Sequence, residues 1–196
     1  MRLYCATTNP GKLREFQMTL ENFIHVEPLP GLASLPPCEE TGATFEENAA
    51  QKALYYSAYC DGYLFADDSG LEVDALGGAP GVYSARFAGP NASDEENNQL
   101  VLHEMRGVTD RTARFVCVLA LAASGRLLHT FRGEVEGRLL PAPQGTNGFG
   151  YDPLFSYPPF GCTFGEAPLQ RKMEVSHRTQ ALAKMRAYLE KVRSQP

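Results

Sequence analysis

Thr7-Thr8-Asn9-Pro10-Gly11-Lys12 stands between an apolar strand-like run and a run with helical periodicity. Backbone N–H groups at a helix start, two hydroxyls and a lysine suit phosphate oxygens. The G-x-x-x-x-G-K-[ST] spacing is absent, so this is not a P-loop, and an ordinary Asn-Pro-Gly turn accounts for the same residues. A second group is acidic: Glu39-Glu40 precede one helix, and Asp67-Asp68 end an apolar strand, with Ser69-Gly70 expected to turn away. Carboxylates at such ends hold Mg²⁺ through few protein ligands while phosphate and water complete the octahedron. Turns also favour Asp, Ser and Gly, but two aspartates directly after a buried strand weigh toward a ligand, because burying unpaired charge is costly. Ser69 as a nucleophile ranks low, since G-x-S-x-G is absent.

A late basic group comprises Arg171, Lys172, His177 and Arg178. Cations in the first turn of a helix oppose its macrodipole by a few tenths of a kcal/mol each, so His177 and Arg178 are expected to meet an anionic or acceptor-rich ligand, whereas Arg171 reads as a solvated turn residue. Lys52 falls four residues after Asn48 on one helix face, where it reaches phosphate or simply faces solvent. In Gly148-Phe149-Gly150-Tyr151-Asp152 aromatics alternate with glycines, which suits either a ring stacked on a planar ligand or a buried aromatic in a tight loop. Arg86 in Tyr83-Ser84-Ala85-Arg86 either binds phosphate or stitches loops together. Phosphate donors, an acidic magnesium-holding cluster and an aromatic shelf together fit a nucleoside triphosphate.

These residues need a scaffold. Residues 2–7 read as a strand, and the Asn9-Pro10-Gly11 turn leads into a helix over 12–21 with Leu13, Phe16 and Leu20 on one face. Pro28, Pro30, Pro36 and Pro37 make 27–43 a long ordered loop. Thr44 with Glu47, and Ser93 with Glu96, are capping boxes that start helices reaching about Cys60 and Arg106. Residues 63–66 read as a buried strand, 71–75 as a second short one, and 112–123 with 126–136 as a long hairpin about Ser124-Gly125. Gly145 begins another glycine loop, and 176–192 form a last helix with Leu182, Met185, Leu189 and Val192 on one face. The interleaving, with its antiparallel hairpin, predicts an α/β fold with a mixed sheet flanked by helices and no linker between independent domains.

The chain has 196 residues, 43% of them hydrophobic, and a formal net charge of −5. That is enough apolar content for a core without metal or disulfide staples, and the negative charge weighs against a protein that coats nucleic acid. No apolar run approaches the ~18 residues of a membrane span, and the first ten residues lack a signal-peptide pattern, so a cytoplasmic protein is expected. Cys5, Cys38, Cys60, Cys117 and Cys162 are odd in number and contain no C-x-x-C, which predicts reduced, mostly buried thiols.

The motifs in order, TTNPGK, EETGATFEENAAQKA, ADDSGLEVDALGGAPGVYSARFAG, GTNGFGYDPLF and SHRTQAL, closely resemble those of the inosine triphosphate pyrophosphatase family over nearly the whole chain. The resemblance implies hydrolysis of ITP, dITP and XTP to monophosphate and pyrophosphate, which cleanses the nucleotide pool. It implies that Thr7, Thr8, Asn9, Pro10, Gly11, Lys12 and Lys52 bind the triphosphate. Glu40 and Asp68 would hold Mg²⁺, and Asp68 would also accept the proton of water, with Asp67 in support and Ser69 touching substrate. Phe149, Gly150, Tyr151 and Asp152 would line base and sugar, with Lys172, His177 and Arg178 completing purine recognition. The implied fold is an elongated α/β/α structure over residues 1–196, with a curved mixed sheet, a cleft between two lobes and a homodimeric assembly. Cys162 stands where many relatives have lysine. A nucleotide sensor would keep the phosphate loop and aromatic shelf but could dispense with the paired acids; a broader Mg²⁺-dependent hydrolase of modified pyrimidine nucleotides is the other enzyme reading.

Overall fold

The computed structural model describes residues 2–194. Its elements are β1 (Leu3–Cys5), α1 (Pro10–Leu20), β2 (Val26–Pro28), α2 (Phe45–Ser57), β3 (Tyr63–Val73), α3 (Asp94–Glu104), β4 (Thr112–Ala123), β5 (Arg126–Leu139), β6 (Phe155–Tyr157), β7 (Cys162–Thr163), α4 (Leu169–Met173) and α5 (His177–Ser194). The strands hydrogen-bond in the order β2-β1-β3-β4-β5-β6-β7. β1 pairs in parallel with β2 and β3, while β6 pairs antiparallel with β5 and β7, so the sheet is mixed as the sequence predicts.

Two compact units divide the chain. One comprises residues 1–68, 117–133 and 177–196, and the other 69–116 and 134–176; three of the four changeovers fall inside β3, β4 and β5. The first unit's core gathers Leu3 and Cys5 of β1, Phe16 and Leu20 of α1, Phe65 of β3, Leu119 and Leu121 of β4, and Leu182, Met185 and Leu189 of α5. Phe16 meets Phe65 edge-on at 5.2 Å between centroids, which fixes α1 over the strand that carries Asp67 and Asp68 in its middle. The second unit's core joins Leu71 and Val73, Val101 of α3 and Met105 just after it, Phe115, and Phe155 and Phe164 around the loop that holds Tyr151.

Local signals set most element starts. Asn9 caps α1 by accepting the Lys12 N–H at 3.0 Å, with Pro10 in the first turn, where a missing N–H costs nothing. Both capping boxes are present, at Thr44–Glu47 and Ser93–Glu96. Ser124 and Gly125 take φ of 49° and 72°, the pair of left-handed residues that a tight hairpin turn requires.

Four expectations are corrected. Asn9-Pro10-Gly11 is not a turn ahead of the helix, because Pro10 and Gly11 already belong to α1. The expected loop over 27–43 begins inside a strand, Val26–Pro28, which tolerates Pro28 because a short edge strand can forgo one ladder donor. The expected short strands at 63–66 and 71–75 are one, β3, which runs straight through Asp67-Asp68-Ser69-Gly70. It continues because Leu71 and Val73 are buried and because both carboxylates find cations, so burial of the strand does not strand a charge. Finally, the five cysteines are free as expected, but only Cys5 and Cys117 are buried, the other three being half-buried.

Candidate active site

In the first unit, charged groups gather at Asp67 and Asp68 of β3. Strand alternation sends the two aspartates to opposite faces, so each meets its own cation. Lys12, in the first turn of α1, places Nζ 2.7 Å from Asp67 Oδ2. Lys52 of α2 places Nζ 3.4 Å from Asp68 Oδ1 and 3.3 Å from Glu40 Oε1. Asn48, one turn earlier on the same face of α2, donates its Nδ2 to Asp68 Oδ2 at 3.2 Å. Thr7 accepts the Asn9 N–H at 3.2 Å, which orders the connection into α1, while Thr8 lies exposed beside it. Ser69 continues β3, half-buried.

The adjacent carboxyls are shifted in opposite directions from their ordinary value. Burial alone would raise Asp67, but the cations Lys12, Lys52 and Arg178 outweigh it and hold the carboxyl below its ordinary value. Asp68 moves up, because burial and the nearby Glu40 carboxylate outweigh Lys52, Lys12 and the Asn48 hydrogen bond. Lys52 is held above its ordinary value: burial would lower it, yet Asp68, Asp67 and Glu40 raise it further. Neighbouring groups driven apart in this way are what acid–base and metal chemistry uses.

Among the described residues no three His, Cys, Asp or Glu side chains cluster to hold a metal. Glu40 and Asp68 do share one ammonium, each within 3.4 Å of Lys52 Nζ, so two carboxylate oxygens converge on a small cationic group. That donor set suits Mg²⁺, which takes one or two carboxylates and completes its shell with phosphate and water.

The same unit places His177 and Arg178 in the first turn of α5, both buried. Arg178 Nη1 lies 2.9 Å from Glu15 Oε2 of α1, side chains 6% and 4% exposed. The expected conflict of Arg178 with the helix dipole therefore has an answer inside the fold, a buried carboxylate at charge-assisted hydrogen-bond distance. Gly133 lets α5 approach β5 this closely, since a Cβ there would collide with the His177 carbonyl and come 2.6 Å from the Ala181 nitrogen. No sequence signal pointed to Glu15; Asn48 was visible in its i, i+4 spacing with Lys52.

In the second unit, residues 145–153 form the glycine loop. Asp152 Oδ2 accepts the Phe149 N–H at 2.9 Å and pairs with Lys172 Nζ at 2.7 Å, both side chains being 2% exposed. Lys172 Nζ also lies 5.0 Å from the centre of the Phe149 ring, within cation–π range. Gly148, at φ +76°, permits the arrangement because a Cβ there would collide with the Asp152 carboxylate. The Tyr151 hydroxyl donates to the Ser84 carbonyl at 2.7 Å, and burial pushes that phenol up. Phe149 and Gly150 remain half-buried, whereas Tyr151 and Asp152 are buried beneath them. Arg86 stacks over the Tyr83 ring at 5.3 Å, and Arg171 lies over Phe160 at 4.2 Å while remaining exposed.

The Ham1 family model matches residues 3–188. A dITP/XTP pyrophosphatase from Exiguobacterium sp. (strain ATCC BAA-1283 / AT1b) is 54% identical over 188 residues, 95% of this chain and 96% of that protein. Another dITP/XTP pyrophosphatase, from Syntrophobacter fumaroxidans, is 50% identical over 97% of this chain and 82% of its own length. Among solved structures, the Staphylococcus aureus Ham1 protein superposes with a TM-score of 0.88 at 39% identity, covering 98% of this chain and 100% of that one.

Proposed function

The chain belongs to the Ham1 family, and from that premise we propose that it is a nucleoside-triphosphate pyrophosphohydrolase acting on the non-standard purine nucleotides ITP, dITP and XTP. It converts them to the monophosphate and pyrophosphate and so keeps them out of DNA and RNA. The observation that carries the chemistry is the convergence of Glu40 and Asp68 on Lys52 Nζ at 3.3 and 3.4 Å. In this reading Glu40 and Asp68 hold Mg²⁺, which when bound neutralises phosphate charge and polarises the reacting phosphoryl group.

The chain's own residues then act as follows. Lys12, Lys52 and the hydroxyl and backbone groups of residues 7–11 draw in and orient the triphosphate. Asp68, fixed by the Asn48 amide, accepts a proton as the water oxygen bonds to the α-phosphorus. The bond from that phosphorus to the bridging oxygen breaks, and pyrophosphate leaves with the electron pair. Asp67 keeps Lys12 in place, and Ser69 touches substrate. Phe149, Gly150, Tyr151 and Asp152 line base and sugar, and Lys172, His177 and Arg178 complete recognition of the purine. A 6-keto purine offers an oxygen acceptor where adenine presents an amino donor, and a site built from donors rejects the analogue that cannot reciprocate.

The working state of the proposal is a cytoplasmic homodimer, and among the described residues no helix is long and apolar enough to cross a membrane. The test is incubation with ITP, dITP, XTP, GTP and ATP in Mg²⁺ and in EDTA, resolving every phosphate product. Metal-dependent monophosphate and pyrophosphate from the first three, with GTP and ATP nearly untouched, is expected. Orthophosphate released stepwise would overturn the pyrophosphohydrolase reading, and tight binding without turnover would replace it with a nucleotide sensor.

A further inference from the structure

The 145–153 loop is held by α3 as well as by Asp152. The Gly150 N–H donates to Asp94 Oδ2 at 2.6 Å, and the Gly150 carbonyl accepts from Asn98 Nδ2 at 2.9 Å. Asp94 and Asn98 are one turn apart on α3, so one helix face grips both backbone groups of a single residue. Gly150 sits at φ +62° with open space where a Cβ would stand, leaving its N–H and carbonyl as the handles by which the chain beside Phe149 is fixed. Asp94, Asn98, Thr146, Phe149 and Gly150 together border a cavity of about 420 Å³.

Helix stability accounts poorly for this pair. An aspartate in the first turn favours the dipole, but that does not require a charge-assisted bond to an N–H 56 residues away. Asn98 is buried, and its Oδ1 has no hydrogen-bond partner. A buried, half-satisfied amide in a helix interior is unfavourable to folding; what it supplies is the Nδ2 bond to Gly150.

We propose that Asp94 and Asn98 are positioning residues for base recognition, setting the direction of the Phe149 ring through the Gly150 backbone. The proposal rests on the reading that residues 149–152 line the base. Steady-state kinetics with dITP on Asp94→Ala and Asn98→Leu should show KM raised about tenfold, in keeping with the loss that small misplacements of a binding group bring. Inhibition by inorganic tripolyphosphate, which has no base, should keep its constant. Asn98→Leu should melt no lower than the parent, because the unpartnered oxygen is gone. Ser93→Ala removes the cap of the same helix without touching Gly150, and should lower Tm while leaving KM alone. The role is overturned if both variants keep the parental KM while Phe149→Ala raises it. It is equally overturned if Ser93→Ala raises KM as much as they do, or if tripolyphosphate inhibition weakens in step. A parental KM in Phe149→Ala would instead remove the base-lining reading, and the proposal with it.

Discussion

The charge cluster around Asp67-Asp68 within β3 and the loop over 145–153 use the same residue types for opposite ends. At β3, Lys12 is 19% exposed and Asp67 2%, and three cations share in holding that carboxyl. Under the loop, Lys172 and Asp152 are each 2% exposed at 2.7 Å. The first is a network in which one partner still faces outward and can trade a carboxylate for a ligand. The second is a closed pair whose product is shape, because Asp152 also holds the Phe149 N–H. The ion pairs in the middle of β3 are placed for chemistry, and the fully buried pair sets the shape of the loop proposed to line the base.

Substitutions can break that contrast. The largest effect should come from Asp68→Asn, which keeps the shape of the side chain while removing the proton acceptor and one carboxylate of the proposed metal pair. Turnover of dITP should fall by at least about 10²–10⁴-fold, the range for loss of general-base catalysis, while nucleotide still binds in equilibrium dialysis. Parental turnover would sink the assignment. Next, Asp152→Ala leaves the Lys172 ammonium buried beside apolar rings, which should cost about 3–5 kcal/mol in denaturant unfolding. Adding Lys172→Met should recover much of that loss, since an apolar replacement of a buried pair is often near neutral. Lys12→Met, by contrast, leaves Asp67 with Lys52 and Arg178 nearby, so about 1.5–3 kcal/mol is expected, the worth of a hydrogen bond to a charged group. Its main signature should be a raised KM for dITP with weaker tripolyphosphate inhibition, which the loop variants leave unchanged. If Lys12→Met destabilises more than Asp152→Ala, the distinction between open network and closed pair fails.

The smallest effect concerns the cap that starts α3. Hydrogen bonds from the Ser93 backbone and hydroxyl hold the Glu96 carboxyl below its ordinary value of 4.5. A carboxyl depressed in the folded state adds stability above its unfolded value, and that stability is lost as pH falls through the folded value. The Tm difference between the parent and Ser93→Ala should therefore be largest near neutrality and shrink as pH drops below about 4.5. A difference that grows on acidification would contradict it.

Much of the scaffold was legible because its signals are local. Capping boxes act over three residues, the Ser124-Gly125 turn over two, and the faces of α1 and α5 over successive helical turns. β6, β7 and α4, of two to five residues, were invisible because so short a segment carries no period to read. The break expected at Ser69-Gly70 followed turn propensity, which tertiary pairing overrode. At the site, Glu40, Asp67, Asp68, Lys12 and Lys52 were all singled out by type and neighbourhood, whereas Glu15, Asp94 and Asn98 were not, since a carboxylate or amide on a helix surface looks the same whether it meets solvent or a buried partner.

By itself the sequence determined which chemistries the chain could host and where its helices and hairpin begin, because propensity, capping and residue type are properties of short stretches. Only the tertiary structure decided partners. Lys12 finds Asp67 across 55 positions, Asn98 finds Gly150 across 52 and Arg178 finds Glu15 across 163. Each pairing is fixed by how buried apolar faces pack, and its energy depends on distances and burial that residue order does not contain.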